Sequence, residues 1–184
     1  MIRFVIRGVT PLLMHSPQGM GRNTGAIGRK EIPTAEDEAE AGAYRLPNGA
    51  LGFPATGVRN ATLSGAKGLR LGKKALRPLL AGSLLPADPM FPLTDSVGEA
   101  IEKYEIDVQR AVVQRQGIMR ARPRIDPPWF LVCSFRYNPV VTIEHIETAL
   151  IEAGKVVGLG DYRIEKTGWY GAFEVDAIEE TEDE

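Results

Sequence analysis

The chain places glycines, cations and aromatic rings close together near its C-terminal end. Residues 158–171 include four glycines within fourteen positions. Glycine is favoured where the backbone must take positive φ or approach another group closely. Free backbone amides and cations bind phosphate, and flat rings stack on bases. This segment, which we call the glycine loop, is therefore predicted to contact nucleic acid through Gly158, Gly160, Arg163, Lys166, Trp169 and Tyr170.

Two further stretches contain cations and no acid. Residues 41–87 hold seven lysines and arginines, and residues 108–125 hold five arginines. A surface of one sign attracts polyanions, whereas ordinary surfaces mix both signs. The alternative is that both stretches are exposed faces balanced by acids elsewhere in the fold. On the first interpretation, phosphate contacts come from Arg59, Lys67, Arg70, Lys73 and Lys74. The segment from Arg110 to Arg124, which includes Arg115, Arg120 and Arg122, would be a finger that grips the strand or the neighbouring subunit.

The formal net charge of −2 hides an uneven distribution along the chain. Residues 174–184 contain seven acids and no base, so the remaining residues carry 22 bases against 17 acids. We predict that residues 179–184 form a disordered acidic tail, because this segment is nearly all charge. The body of the chain is mildly basic, which favours an anionic partner.

Few residues are suited to catalysis or to metal binding. Cys133, the one cysteine, lies in an apolar run and is predicted to be a buried structural thiol. The carboxylates of Glu36, Asp37, Glu38 and Glu40 could hold a hard cation, although such a run is more often a solvated face. The sequence has no His/Cys cluster, no P-loop and no Gly-x-Ser-x-Gly elbow. We therefore predict no metal and no cofactor, and we consider catalysis the weaker class of function.

The elements that must position these residues follow from the hydrophobic pattern. Alternating apolar residues predict strands, and helical spacing after a threonine cap predicts helices. The resulting order is strand, helix, strand, strand, helix, strand. The predicted strands are residues 2–9, 104–113, 129–137 and 171–177, and the predicted helices run from Thr56 or Thr62 to Leu69 and from Thr142 to Gly154.

This order is typical of α+β proteins with the ferredoxin-like or RRM-type fold, an antiparallel sheet with two helices. The open face of such a sheet is a common RNA platform. We predict a single domain over residues 1–178, with long inserted loops at residues 15–40 and 79–126, the second holding the arginine-rich segment. The apolar runs are too short to cross a bilayer, so we expect no membrane partner and a cytoplasmic location.

Three segments resemble the RAMP superfamily, the RRM-fold proteins that include backbone subunits and guide-processing nucleases of CRISPR effector complexes. They are residues 8–13 (GVTPLL), residues 53–61 (FPATGVRNA) and the glycine loop with its following strand, residues 158–175. The last of these is the most specific. The resemblance spans most of the chain, although residues 72–126 match only loosely, and the loop at 15–40 and the acidic tail depart from the family pattern.

The resemblance implies a modified RRM fold that binds single-stranded nucleic acid, RNA favoured, across repeated subunits of one assembly. The assembly would be a CRISPR effector backbone or a phage or mobile-element relative of one. RNA-cleaving relatives often use a histidine, so the alternative is a metal-independent endoribonuclease with His15 as its catalytic residue. A third hypothesis is a structural assembly subunit without nucleic acid, whose basic faces meet the acidic tail of a neighbour.

Overall fold

The computed structural model describes residues 1–17, 33–113 and 116–181, which form an α+β fold with antiparallel sheets. Its helices are α1 (Ala35–Gly42), α2 (Ala55–Gly65), α3 (Leu76–Ser83) and α4 (Ile143–Val156), with a 3-10 turn at Ile164–Lys166. Its strands are β1 (Ile2–Gly8), β2 (Leu12–Leu13), β3 (Gly52–Pro54), β4 (Arg70–Leu71), β5 (Lys74–Ala75), β6 (Leu85–Pro86), β7 (Met90–Thr94), β8 (Glu105–Val113), β9 (Gln116–Ile125), β10 (Phe130–Arg136) and β11 (Phe173–Glu180). The α+β class is confirmed. The prediction of two helices was too low, since α1 and α3 are additional.

The largest sheet has its strands in the order β11-β1-β10-β7-β3, and β6 also pairs with β10. All of these pairings are antiparallel. In β1 the side chains of Ile2, Phe4 and Ile6 are fully buried, whereas Arg3 and Arg7 are exposed. The alternation predicted for this strand is therefore confirmed, because every second side chain is buried in the core.

Helices α2 and α4 pack against each other and share one hydrophobic core with the buried side of β1. Two glycines make these contacts close. A Cβ atom on Gly65 would lie 2.2 Å from the carbonyl oxygen of Ala149 in α4, and one on Gly154 would lie 2.0 Å from the carbonyl oxygen of Phe173 in β11. Both glycines therefore let backbones meet directly. Of the helices described, none has the length and apolar character needed to cross a membrane.

A second sheet holds the long hairpin of β8 and β9, with β2 added at the outer edge of β9. The prediction of a loop at residues 79–126 is therefore wrong for β8 and β9, because Arg120 and Arg122 belong to a strand. Their alternation with Met119, Ala121 and Pro123 has the period of two that a strand requires. Helix α1 packs on β9, so the predicted loop at residues 15–40 is also partly helical.

The acidic tail was predicted to begin at residue 179, but β11 continues to Glu180. Glu179 and Glu180 belong to β11, while residues 182–184 lie outside the described residues. Glu179 is held by the guanidinium of Arg3, 3.0 Å away across the β1–β11 pair. The tail was predicted to be disordered because it offers no apolar side chain, but backbone pairing and this cross-strand ion pair order its first residues.

The sheet face opposite the helices differs from an aromatic RNA platform. Arg7 of β1 pairs with Glu174 of β11 at 2.7 Å, in the same row as the Arg3 pair. Between these ion pairs, Val5 lies beside Ala177 and Val132. The charges of Arg3 and Arg7 are therefore balanced on this face, which leaves these two arginines less available to phosphate.

Candidate nucleic-acid interface

A cleft of about 550 Å³ opens between α2 and the glycine loop. Side chains and backbone of α2 form one wall, and residues 157–161 form the facing wall. His15 and Pro17, which follow β2, also line the cleft. Two of the three segments that carry the resemblance, residues 53–61 and 158–175, therefore face each other here.

The remaining segment, residues 8–13, holds the glycine loop in place. The amide of Asp161 donates to the carbonyl of Leu13 at 2.9 Å, and the amide of Gly171 donates to the carbonyl of Pro11 at 2.8 Å. The hydroxyl of Thr10 accepts from the amide of Ala172 at 2.9 Å. The chain after β1 thus positions the loop wall of the cleft.

The glycines of the loop are needed for its geometry. Gly158, Gly160 and Gly171 have φ of +73°, +77° and +70°, the left-handed region that side chains disfavour. A Cβ atom on Gly160 would also lie 2.2 Å from the carbonyl oxygen of Leu13. The predicted demand for glycine is confirmed, but the reason at this position is close packing of the loop against its neighbour.

The amides of the loop are less available than predicted. Those of Gly158, Leu159 and Asp161 donate to the carbonyls of Ala153, Gly171 and Leu13, each at 2.9 Å. The amide of Gly160, between them, has no hydrogen-bond partner within the described part of the chain. The loop therefore offers one amide here to a ligand and not a row of them.

The two aromatic residues of the loop have different surroundings. Trp169 is 62% exposed and stacks by one side on Tyr170, with ring centroids 5.5 Å apart. Tyr170 is 5% exposed, and its hydroxyl accepts from the amide of Gln109 at 2.6 Å and donates to Asp107 at 3.4 Å. The prediction that Tyr170 stacks on bases is therefore wrong, because its ring joins the loop to the β8–β9 hairpin. Trp169 keeps an exposed face.

Of the cations predicted in the loop, Lys166 is exposed and Arg163 lines the cleft. The guanidinium of Arg163 lies 3.2 Å from the carboxylate of Glu165. Lys67, just beyond the end of α2, donates to the same carboxylate at 2.9 Å and lowers the pKa of Glu165. Arg163 and Lys67 are therefore near the cleft, with part of their charge already balanced.

The remaining cations of the first basic stretch divide into two groups. Arg59 of α2 donates to the backbone carbonyls of Ala81 and Leu84, so it joins α2 to the end of α3 and is not a free phosphate ligand. By contrast, Arg70, Lys73 and Lys74 are exposed and lie on the two-stranded β4–β5 hairpin, which we call the basic hairpin. They form no ion pair within the described residues.

The arginines of the second stretch are held by acids. Arg120 lies 2.7 Å from Glu38 of α1, and Arg122 lies 2.7 Å from Asp161 of the glycine loop. Arg122 is only 4% exposed. The prediction that these two arginines grip a strand is therefore wrong, since both join β9 to neighbouring elements. Arg115 lies outside the described residues.

Two carboxylates of the acidic run at residues 36–40 are paired with arginines. The carboxylate of Glu38 accepts from Arg120 and from the amide of Ala121 at 3.1 Å. Arg45 donates to Glu40 and lowers the pKa of that carboxyl group. In the described ranges, no group of three or more His, Cys, Asp or Glu could hold a metal ion. Glu38 and Glu40 therefore anchor α1 to its surroundings.

His15 is half-buried at the cleft. Burial lowers the pKa of its imidazole below the ordinary 6.5, and nearby Arg122 adds to this effect, while the carboxylate of Asp161 opposes it. His15 is therefore a neutral imidazole at neutral pH. A neutral imidazole can accept a proton from a ligand or donate one hydrogen bond to it.

Sequence reasoning missed the contribution of α2 itself. Its N-cap is Pro54, which provides no side-chain hydrogen bond, and its first turn contains no acid. The amide of Ala55 donates to the carbonyl of Pro89 at 3.0 Å, so the helix contributes to the cleft through Thr56 and Gly57, which line it. Asn60 and Ser64 follow along the same wall. In the sequence, the only sign of a shared role for Asn60 and Ser64 was their i, i+4 spacing. That spacing does not predict a cleft, because the glycine loop that faces α2 comes about a hundred residues later in the chain.

No family model matches the chain, and no curated protein matches it either. The resemblance to RAMP proteins therefore remains a prediction from the three segments, and the function must be argued from the geometry of the cleft.

Proposed function

We propose that the chain is a RAMP-like protein with a ferredoxin-like, RRM-type fold that binds single-stranded nucleic acid, RNA favoured. The order β11-β1-β10-β7 supports the fold, because β1 and β10 lie at the centre, with β7 and β11 outside them. Helix α2 lies between β1 and β7 in the chain, and α4 lies between β10 and β11. This is the strand-helix-strand-strand-helix-strand order of the ferredoxin-like fold.

The observation that carries the binding proposal is the set of three exposed cations on the basic hairpin, Arg70, Lys73 and Lys74, which form no ion pair within the described residues. The N-terminal end of α2 lines the cleft with Thr56 and Gly57, and Lys67, which is paired with Glu165, follows Ser64 at the other end of the helix. The basic hairpin starts three residues after Lys67. An eleven-residue helix is about 16 Å long. The backbone of a single strand would follow α2 from its positive end to the basic hairpin.

We further propose that several copies assemble along one strand, as in a repeated-subunit ribonucleoprotein. The β8–β9 hairpin supports this because its outer face exposes Val108, which is 49% accessible, and Met119, which is 62% accessible. Arg110 stands opposite Met119 on the same face. An exposed apolar pair beside a cation is suited to contact with a neighbouring subunit.

The direct test is a titration of a labelled single-stranded 20-mer RNA with purified protein, repeated with the DNA equivalent and with duplex. We expect binding of the single strands that weakens steeply as salt rises, because phosphate contacts release counterions. RNA should bind more tightly than DNA if ribose hydroxyls contribute. Absence of binding at low salt, or a preference for duplex, would contradict the proposal. Sedimentation of the complexes on longer strands measures assembly.

A second candidate function is RNA cleavage with His15 as general base, because His15 lines the cleft and is neutral at neutral pH. Its lowered pKa predicts a rate that rises with pH, through a midpoint below 6.5, and then levels. His15→Ala should then lower the rate by roughly a hundredfold or more without changing RNA affinity much. Cleavage that persists unchanged in His15→Ala, or no cleavage by the parent protein, excludes this function and leaves the binding proposal standing.

A further inference from the structure

The lining of the cleft is not basic, which limits what part of a strand can enter it. Among the described lining residues, Arg163 provides the one guanidinium, and Asp161 and Glu165 provide two carboxylates. Asp161 pairs with Arg122, and Glu165 pairs with Arg163 and with Lys67. His15 adds no charge at neutral pH. A phosphate would find no net attraction inside the cleft, whereas a neutral ring would meet no electrostatic penalty.

The size and apolar part of the cleft suit such a ring. Its volume of about 550 Å³ is in the range of small-ligand sites. Phe53, Ala61 and Leu159 are apolar residues of the lining, although each exposes only a small part of its side chain. Tyr44 meets Phe53 edge to face, with centroids 6.0 Å apart, so both rings are fixed. A planar base inserted here would contact preorganised aromatic and aliphatic groups.

The wall formed by α2 carries polar side chains that have no hydrogen-bond partner within the described residues. Thr56, Asn60 and Ser64 recur every four residues and so lie on one face of the helix. All three line the cleft, and within residues 1–17, 33–113 and 116–181 their side chains have no hydrogen-bond partner. The amide of Asn60 offers donors and an acceptor side by side. Base edges present the same combination of donors and acceptors.

We infer that the cleft receives one unstacked base of the bound strand and that Asn60 hydrogen-bonds to its edge. This inference rests on the proposed binding of single-stranded nucleic acid and adds base selection to it. The phosphates remain outside the cleft, on the basic hairpin. Binding then has two separable components, a sequence-independent one from the cations and a base-dependent one from the cleft.

The experiment compares the affinities of three RNA 12-mers, oligo(U), oligo(A) and oligo(C), at one salt concentration. The parent protein should separate its best and worst oligomer by about fivefold or more, the discrimination that a paired side-chain contact gives. Asn60→Ala should reduce this ratio toward one. Lys73→Glu/Lys74→Glu should weaken all three oligomers by a similar factor and keep the ratio. Thr148→Ala, an exposed residue of α4 away from the cleft, serves as the matched control and should change neither.

The outcomes separate this inference from the proposed function. Equal binding of the three oligomers by the parent protein overturns the base site and leaves nucleic-acid binding intact. A ratio that survives Asn60→Ala overturns the assignment to Asn60. No binding of any oligomer overturns both. Because Asn60 is exposed on the helix surface, its replacement by Ala should leave the unfolding midpoint unchanged, which a urea titration verifies.

Discussion

Reversal of two charges on the basic hairpin, Lys73→Glu/Lys74→Glu, is expected to weaken single-strand binding by more than a hundredfold at low salt. Both side chains are exposed and form no ion pair within the described residues, so the variant should fold normally. A hydrogen bond to a charged group contributes roughly 1.5–3 kcal/mol, and each reversal also adds repulsion. Losing two such contacts exceeds the roughly 2.8 kcal/mol that corresponds to a hundredfold change in affinity.

The salt dependence of the same variant supplies an independent measurement. For single strands, the slope of log affinity against log salt changes by about 0.7 for each phosphate contact, so two lost contacts should reduce it by about 1.4. Lys103→Glu/Arg136→Glu is the matched control, because it changes the net charge equally and neither residue lines the cleft or belongs to the basic hairpin. If the control variant weakens binding as much as the hairpin variant, net charge alone explains the effect. An unchanged slope in the hairpin variant would remove these lysines from the binding path.

The parts of the fold that local pattern determines were predictable from sequence. In β1 the alternation of Ile2, Phe4 and Ile6 with less buried residues is sufficient to predict a strand, because one face of that strand meets the core. Helix α4 likewise begins after the threonine at position 142, whose side chain accepts from the amide of His145. The need for glycine at positions 158 and 160 was also visible, because positive φ leaves few other residue types.

The missed features depend on partners far away in the chain. Arg122 reads as a free cation in sequence, but its acid partner Asp161 comes 39 residues later and is brought close only by the fold. Arg59 is satisfied by two backbone carbonyls of the α3 region, which no side-chain pattern encodes. Tyr170 is buried because Asp107 and Gln109 reach it from β8. A charge or ring predicts a binding role only where no such distant partner exists.

This criterion changes which residues carry the proposed function. Cations selected for their sign alone included Arg59, Arg120 and Arg122, all of which hold elements together. The cations of the basic hairpin, by contrast, are exposed and form no ion pair within the described residues. Polar groups of α2 such as Asn60 were not predicted as binding residues because they carry no charge, yet they line the cleft and have no hydrogen-bond partner in the described part of the chain. Freedom from intramolecular contacts is the stronger indicator of a binding residue here.

Replacement of Gly171 by Ala is expected to cause a large loss of stability. Gly171 has φ of +70°, and a Cβ atom there would lie 1.8 Å from the carbonyl oxygen and 2.6 Å from the amide nitrogen of Leu159. Both atoms belong to backbone and cannot rotate away. Left-handed strain costs about 1–2 kcal/mol and overpacking roughly 1–3 kcal/mol, so the free energy of unfolding should fall by roughly 2–5 kcal/mol.

Two other glycines separate the contributions to that loss. Gly72 has φ of +59° with nothing within 4 Å of a built Cβ, so Gly72→Ala should show the conformational strain alone, about 1–2 kcal/mol. Gly82 lies in α3 with open space around it and no positive φ, so Gly82→Ala should increase stability by roughly 0.5–1 kcal/mol. Urea titrations of the three variants measure these differences. If Gly171→Ala were no less stable than Gly72→Ala but lost RNA affinity, the glycine would serve close approach of a ligand. A larger loss of stability means that it serves the packing of the loop, which in turn builds one wall of the cleft.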